Sequence, residues 1–183
     1  SGCIEVMGKD ITKINQTEWN ELRTEVGFLF QGSALYDSMS VRENLEFPLR
    51  RHPKKFGDII DATSLVEDAL NSVGLVDAID LMPDELSGGM KRRVALARTL
   101  ILQPKIILYD EPTTGLDPIT SKEIILLMMS IQKQYHTSSI IITHDVDCAR
   151  VIANRMILLI DGINYAEGTF EELSRSNDSK IKA

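Results

Sequence analysis

Leu86-Ser87-Gly88-Gly89-Met90, followed at once by Lys91-Arg92-Arg93-Val94-Ala95-Leu96-Ala97-Arg98, decides how the rest of the chain is read. Ser87 suits a helix N-cap, the two glycines let a phosphate approach the backbone, and Met90, Val94, Ala97 and Ile101 recur at helical spacing. Together they describe an anion site at a helix start. Alone, the same residues are also a glycine-containing loop ahead of an amphipathic helix. Downstream, Ile106-Ile107-Leu108-Tyr109-Asp110-Glu111 is an apolar run ending in two acids, and Thr114-Gly115-Leu116-Asp117 and Thr143-His144-Asp145 follow in order.

The composition narrows the class. A chain of 183 residues, 43% hydrophobic, is long enough for one domain with a real core. A net charge of -7 argues against a broad nucleic-acid footprint, because phosphate neutralisation needs clustered Lys and Arg. The small basic clusters Arg50-Arg51 and Lys91-Arg92-Arg93 read as solvated helix faces. Cys3 and Cys148 show no metal-ligand spacing and read as reduced, cytosolic thiols. No apolar run approaches a membrane span in length, so a membrane role would come through a partner.

Along the chain, residues 3–11 read as strand and turn, and Thr17 as the cap of a short helix through Arg23. Residues 26–30 have strand length and present Gln31 at the tip. Ser40 caps a helix that Pro48 closes or bends, residues 51–57 are a connection, and 64–73 form a second helix ended by Gly74. After the Ser87 helix, Ile106 to Leu108 reads as a strand buried on both faces, with its acids at the carboxyl end. Asp117-Pro118 is an N-cap and first-turn pair ahead of the stripe Ile124, Leu127, Met128 and Ile131. Residues 139–143 read as another buried strand before His144, 145–153 as helix, 156–160 and 163–166 as a hairpin, and 169–172 as a capping box. Residues 174–183 read as a polar, mobile tail. Alternating strands and helices predict a mainly parallel α/β sheet with binding residues at the carboxyl ends of strands.

On these motifs the chain resembles the ATP-binding subunits of ABC transporters, with LSGGM as the signature, LYDE as the Walker B and His144 as the switch histidine. The resemblance implies a P-loop NTPase-like α/β fold carrying a helical subdomain at about 40–103, with ATP and Mg²⁺ as cofactors. Asp110, ending a buried strand, suits Mg²⁺, which keeps much of its hydration shell, and Glu111 suits the general base that takes the proton of the attacking water. Two acids at a strand end are also simply solvated, and a histidine after a strand is usually an ordinary polar residue. By resemblance, His144 lies near the γ-phosphate, Gln31 is the Q-loop glutamine touching the metal or its water, and Asp117 is the D-loop acid that communicates with the opposite site while capping its helix. Ser87, Gly88 and Gly89 close on ATP held by a second copy packed head to tail. The implied partners are that second copy, a membrane permease and lipid-binding accessory proteins, with no nucleic acid. The implied location is the cytoplasmic face of the membrane, through the permease.

One part of the pattern is absent. A P-loop requires Gly-x-x-x-x-Gly-Lys-Ser/Thr, but Gly8-Lys9 is followed by Asp10, and Cys3 stands where the first glycine belongs. The expectation is a single, N-terminally truncated domain. In such families the P-loop strand lies between the strands at 139–143 and 156–160, so those two are expected either to close up or to take in a segment such as residues 3–7 from a neighbouring chain. Residues 30–49, SGGMKRRVALAR and LYDEPTTGLDPI resemble the ATPases of the Mla-type phospholipid-trafficking and toluene-tolerance group. Importers of other small solutes are the near rival. ABC ATPases acting on DNA or the ribosome fit less well, since no coiled-coil heptads fill the interval before the signature.

Overall fold

Val26–Leu29 (β3), Ile106–Asp110 (β4) and Ser138–Ile142 (β5) form a parallel sheet in the order β3-β4-β5. They belong to a computed structural model that describes residues 2–53 and 62–182. The chain divides into two compact units, Ser1–Ile142 and Thr143–Ala183.

In the first unit, β4 pairs on both sides, and its alternation buries Ile107 and Tyr109 on the same face as Leu29 of β3. The Ser87 helix, Gly88–Leu100 (α4), packs on β3, where a Cβ on Gly27 would stand only 2.5 Å from Thr99 Cγ2. The opposite face differs from expectation. Register puts Phe28, Leu108 and Ile140 side by side, and Phe28 is 41% and Ile140 60% exposed. Strand 106–108 is therefore buried on one face, not two, while no residue of β5 is buried, and among the described residues β5 pairs in the sheet with β4 alone.

Gln16–Glu25 (α1) is capped by Asn15, not Thr17: the Asn15 side chain accepts from the amides of Thr17 and Glu18, and Glu18 reaches back to complete a capping box. Glu5–Val6 (β1) and Lys9–Asp10 (β2) make a short hairpin turned at Met7 and Gly8, both with positive φ. Val41–Arg51 (α2) starts at Ser40 and runs through Pro48, and Ala62–Ser72 (α3) is followed by Gly74 in the left-handed region. Part of the expected connection at 51–57 lies outside the described residues. Fully buried Val41, Leu45, Val66, Leu70 and Leu96 lie on α2, α3 and α4, which pack on one another. Pro118–Tyr135 (α5) follows the Asp117 cap and buries Ile124, Ile125, Met128 and Ile131.

In the second unit, Val146–Ile152 (α6) leads to an antiparallel hairpin of Met156–Ile160 (β6) and Ile163–Gly168 (β7), turned at Asp161 and Gly162 with positive φ. Phe170–Ser174 (α7) carries the predicted capping box, and Ser179–Lys182 (α8) adds a short helix within the expected tail. There the Tyr165 hydroxyl donates to Asp178 at 2.6 Å. Among the described residues β1 pairs with β2, and β6 pairs with β7. Among the described residues no helix is long and apolar enough to cross a membrane.

Asn44 holds the link between the sheet and the helices. It is fully buried; its amide donates to the carbonyls of Met39 (2.9 Å) and Tyr36 (3.1 Å), and its oxygen accepts from Tyr36 N (2.9 Å). Asn44→Ala leaves these backbone groups without their partner and should destabilise the first unit by about 3 kcal/mol. Urea denaturation checks this, and an unchanged midpoint would contradict it.

Candidate functional site

The carboxyl ends of β3 and β4 sit side by side because Leu29 pairs with Tyr109 in parallel register. The chain then leaves β3 through Phe30 to exposed Gln31, and leaves β4 through Asp110 to Glu111, so a carboxamide and two carboxylates leave the same end of the sheet. Glu111 takes a left-handed backbone, φ 48°, a conformation that costs a residue with a side chain about 1 kcal/mol or more. It is held there from both sides. Its amide donates to Ile142 O at 2.9 Å, and its carboxylate accepts from Thr114 Oγ1 at 2.8 Å.

The signature segment approaches the same loops. Ser87 caps α4 by accepting from Met90 N at 3.2 Å, and Gly88 and Gly89 form the first turn. A Cβ on Gly88 would touch Leu116 at 3.7 Å, and one on Gly89 would come to 2.7 Å from Thr120 Cγ2. Gly89 thus has a packing reason as well as the expected ligand reason, letting α4 press against the start of α5, whereas the space beside Gly88 would take a Cβ at ordinary contact distance. Asp117 caps α5, accepting from the amides of Ile119 and Thr120 and from the Thr120 hydroxyl. The hydroxyl bond, helped by the amides, holds the Asp117 carboxyl below its ordinary value.

Arg92 overturns the reading of its cluster as a solvated face. It is only 4% exposed, and its guanidinium donates to Phe30 O at 2.8 Å and to Thr114 O at 3.3 Å. Arg98, six residues on, donates to Ala34 O (2.8 Å) and Ser33 O (3.1 Å), carbonyls of two residues with positive φ. The signal was present in the sequence: position 92 shares a helix face with Leu96 and Leu100, which are buried. The first unit therefore carries Gln31, Asp110 and Glu111 at one end of its sheet, and Gly88 and Gly89 beside Leu116 and Thr120, which flank Asp117. His144 belongs to the second unit, where it is exposed and directly precedes Asp145, the cap of α6 that accepts from Cys148 N at 3.0 Å.

Residues 1–114 match the family described as ABC transporter. The chain belongs to that family. It is 40% identical over 174 residues to the intermembrane phospholipid transport system ATP-binding protein MlaF of Haemophilus influenzae, covering 95% of this chain and 65% of that protein. It is 42% identical over 181 residues to the probable ribonucleotide transport ATP-binding protein mkl of Mycobacterium leprae, covering 99% of this chain and 52% of that one. The chain thus spans about half to two thirds of these relatives. Among solved structures it is similar to the ATP-binding cassette MJ0796, a dimer in a post-hydrolysis state bound to ADP and Pi, with TM-score 0.80, 29% identity, and 92% of this chain and 73% of that one covered. The fold is that of an ABC ATPase cassette.

The Asp117 cap yields a pH dependence with a definite sign. A carboxyl held below its ordinary 3.8 stabilises the fold above that value and loses the contribution as pH falls through the lowered one. The gap in thermal midpoint between wild type and Asp117→Asn should be constant near neutrality and shrink on acidification below 3.8. A gap that widens with acid would contradict the assignment.

Proposed function

We propose that the chain is the catalytic part of the ATP-binding subunit of an ABC transporter, coupling ATP hydrolysis to transport through a separate membrane permease. The observation that carries this reading is the placement of Gln31, Asp110 and Glu111 at one end of a parallel sheet, with the Ser87-Gly88-Gly89 helix start locked to the loops that follow. Asp110 and Gln31 offer hard oxygen donors, and no group of three or more His, Cys, Asp or Glu that could hold a metal occurs among the described residues. That donor set suits Mg²⁺, which binds through one or two carboxylates with substrate phosphates and water rather than in an all-protein cage. When bound, the ion neutralises charge on the transferring phosphoryl group. Glu111 takes the proton of the attacking water, its carboxylate aimed by the Thr114 hydroxyl. His144 supplies the switch imidazole. Ser87, Gly88 and Gly89 close on ATP held by a second copy, and Asp117 signals across that dimer.

Residues at about 40–103 form the helical subdomain that docks on the permease at the cytoplasmic face of the membrane, and residues 174–183 form the carboxyl-terminal tail of the domain. The MlaF resemblance favours a lipid-type substrate delivered with lipid-binding accessory proteins; the similarity to mkl keeps another small solute as the second reading.

In the transporter, Glu111→Gln should reduce turnover by about a thousandfold while leaving ATP-dependent dimerisation intact. Wild-type hydrolysis in that variant would sink the assignment. The 183 residues alone contain no Gly-x-x-x-x-Gly-Lys-Ser/Thr stretch and should show no tight Mg-ATP binding by calorimetry. A micromolar dissociation constant would contradict this.

A further inference from the structure

We propose that Arg92 is a positioning residue of the hydrolytic site, setting the Gln31 loop and the Glu111 loop in fixed relation to the signature helix with a single guanidinium. This rests on the reading of Gln31 and Glu111 given above. Phe30, whose carbonyl takes one arm of the fork, is bonded directly to Gln31. Thr114, whose carbonyl takes the other, is the residue whose hydroxyl holds the Glu111 carboxylate. Each reacting-site side chain is therefore one covalent or hydrogen-bonded step from a residue that Arg92 bonds directly, and Arg92 sits one turn inside the helix that begins with Gly88 and Gly89.

Two features separate this from ordinary packing. The position shares a buried helix face with Leu96 and Leu100, where an aliphatic side chain would fill the space without desolvating a charge. Both guanidinium bonds go to backbone carbonyls of different loops, Phe30 O and Thr114 O, and burial lowers the pKa of the group. Its planar fork does what an ammonium cannot, reaching two carbonyls on different loops in fixed directions. A displacement of α4 thus moves both loops together, and a helix that binds nucleotide at its N-terminus transmits that event to base and glutamine at once.

The test compares wild type with Arg92→Lys and Arg92→Met in the transporter, with Arg175→Gln, an exposed change outside the site, as control. ATP hydrolysis and amide hydrogen exchange are measured on the same preparations. Both Arg92 variants should lose about tenfold or more in kcat, with KM for ATP within about threefold, because positioning acts on the chemical step. Exchange should quicken at 31–35 and 111–116 while residues 94–100 keep their protection. Unchanged kcat overturns the proposal, as does a matched rise in KM, or protection lost along α4 instead of in the loops. Should Arg92→Met fail to fold, Arg92→Lys carries the comparison. If Glu111→Gln hydrolyses ATP like wild type, the reading of the site fails, and the exchange pattern still decides whether Arg92 ties the two loops.

Discussion

A guanidinium buried against backbone carbonyls constrains everything around it. Removing such a cation from water costs several kcal/mol, which only well-aimed dipoles offset. For Arg92 those dipoles are the carbonyls of Phe30 and Thr114, on segments that leave two neighbouring strands. Neither loop can shift without leaving a charge uncompensated. Arg98 adds the carbonyls of Ser33 and Ala34, and the absence of a side chain at Gly89 lets Thr120 approach. Helix α4 is thereby fixed to three segments that carry Gln31, Glu111 and Asp117.

The strain in the same region is local and supported. Ser33, Ala34 and Glu111 all have positive φ, and each lies beside one of these contacts. Left-handed backbone at side-chain-bearing residues persists only where surrounding contacts over-determine it. Here those contacts are the arginine clamps on the first two, and the Ile142 carbonyl and Thr114 hydroxyl on the third. The loops are held in shapes they would not adopt alone, which suits groups that must meet a ligand in one geometry.

Much of this was legible in the sequence, because the signals were local. Ser87, Asp117 and Thr169 cap helices as their side chains dictate, Gly74 ends its helix in the left-handed region, and Asp161 with Gly162 turns a hairpin. What was missed depends on tertiary placement. Asn15 displaced Thr17 as a cap because it accepts from two amides and pairs with Glu18. The isoleucines of 140–142 promised a strand covered on both faces, yet Ile140 and Ile142 are more than half exposed, since apolar content cannot say how many layers cover a sheet. Arg92 looked like a surface charge because composition weighed more than helical phase, although its spacing from Leu96 and Leu100 already placed it inside.

The central claim is that α4 and the two loops behave as one cooperative body. Native-state hydrogen exchange in increasing denaturant tests it directly, at the amides of Ser33, which donates to Phe30 O, Glu111, which donates to Ile142 O, and Lys91, which donates to Ser87 O. If the guanidinium locks the assembly, all three should open in a single event with a common free energy and the same denaturant dependence. Three separate openings, with Ser33 and Glu111 exchanging freely while Lys91 stays protected, would contradict it.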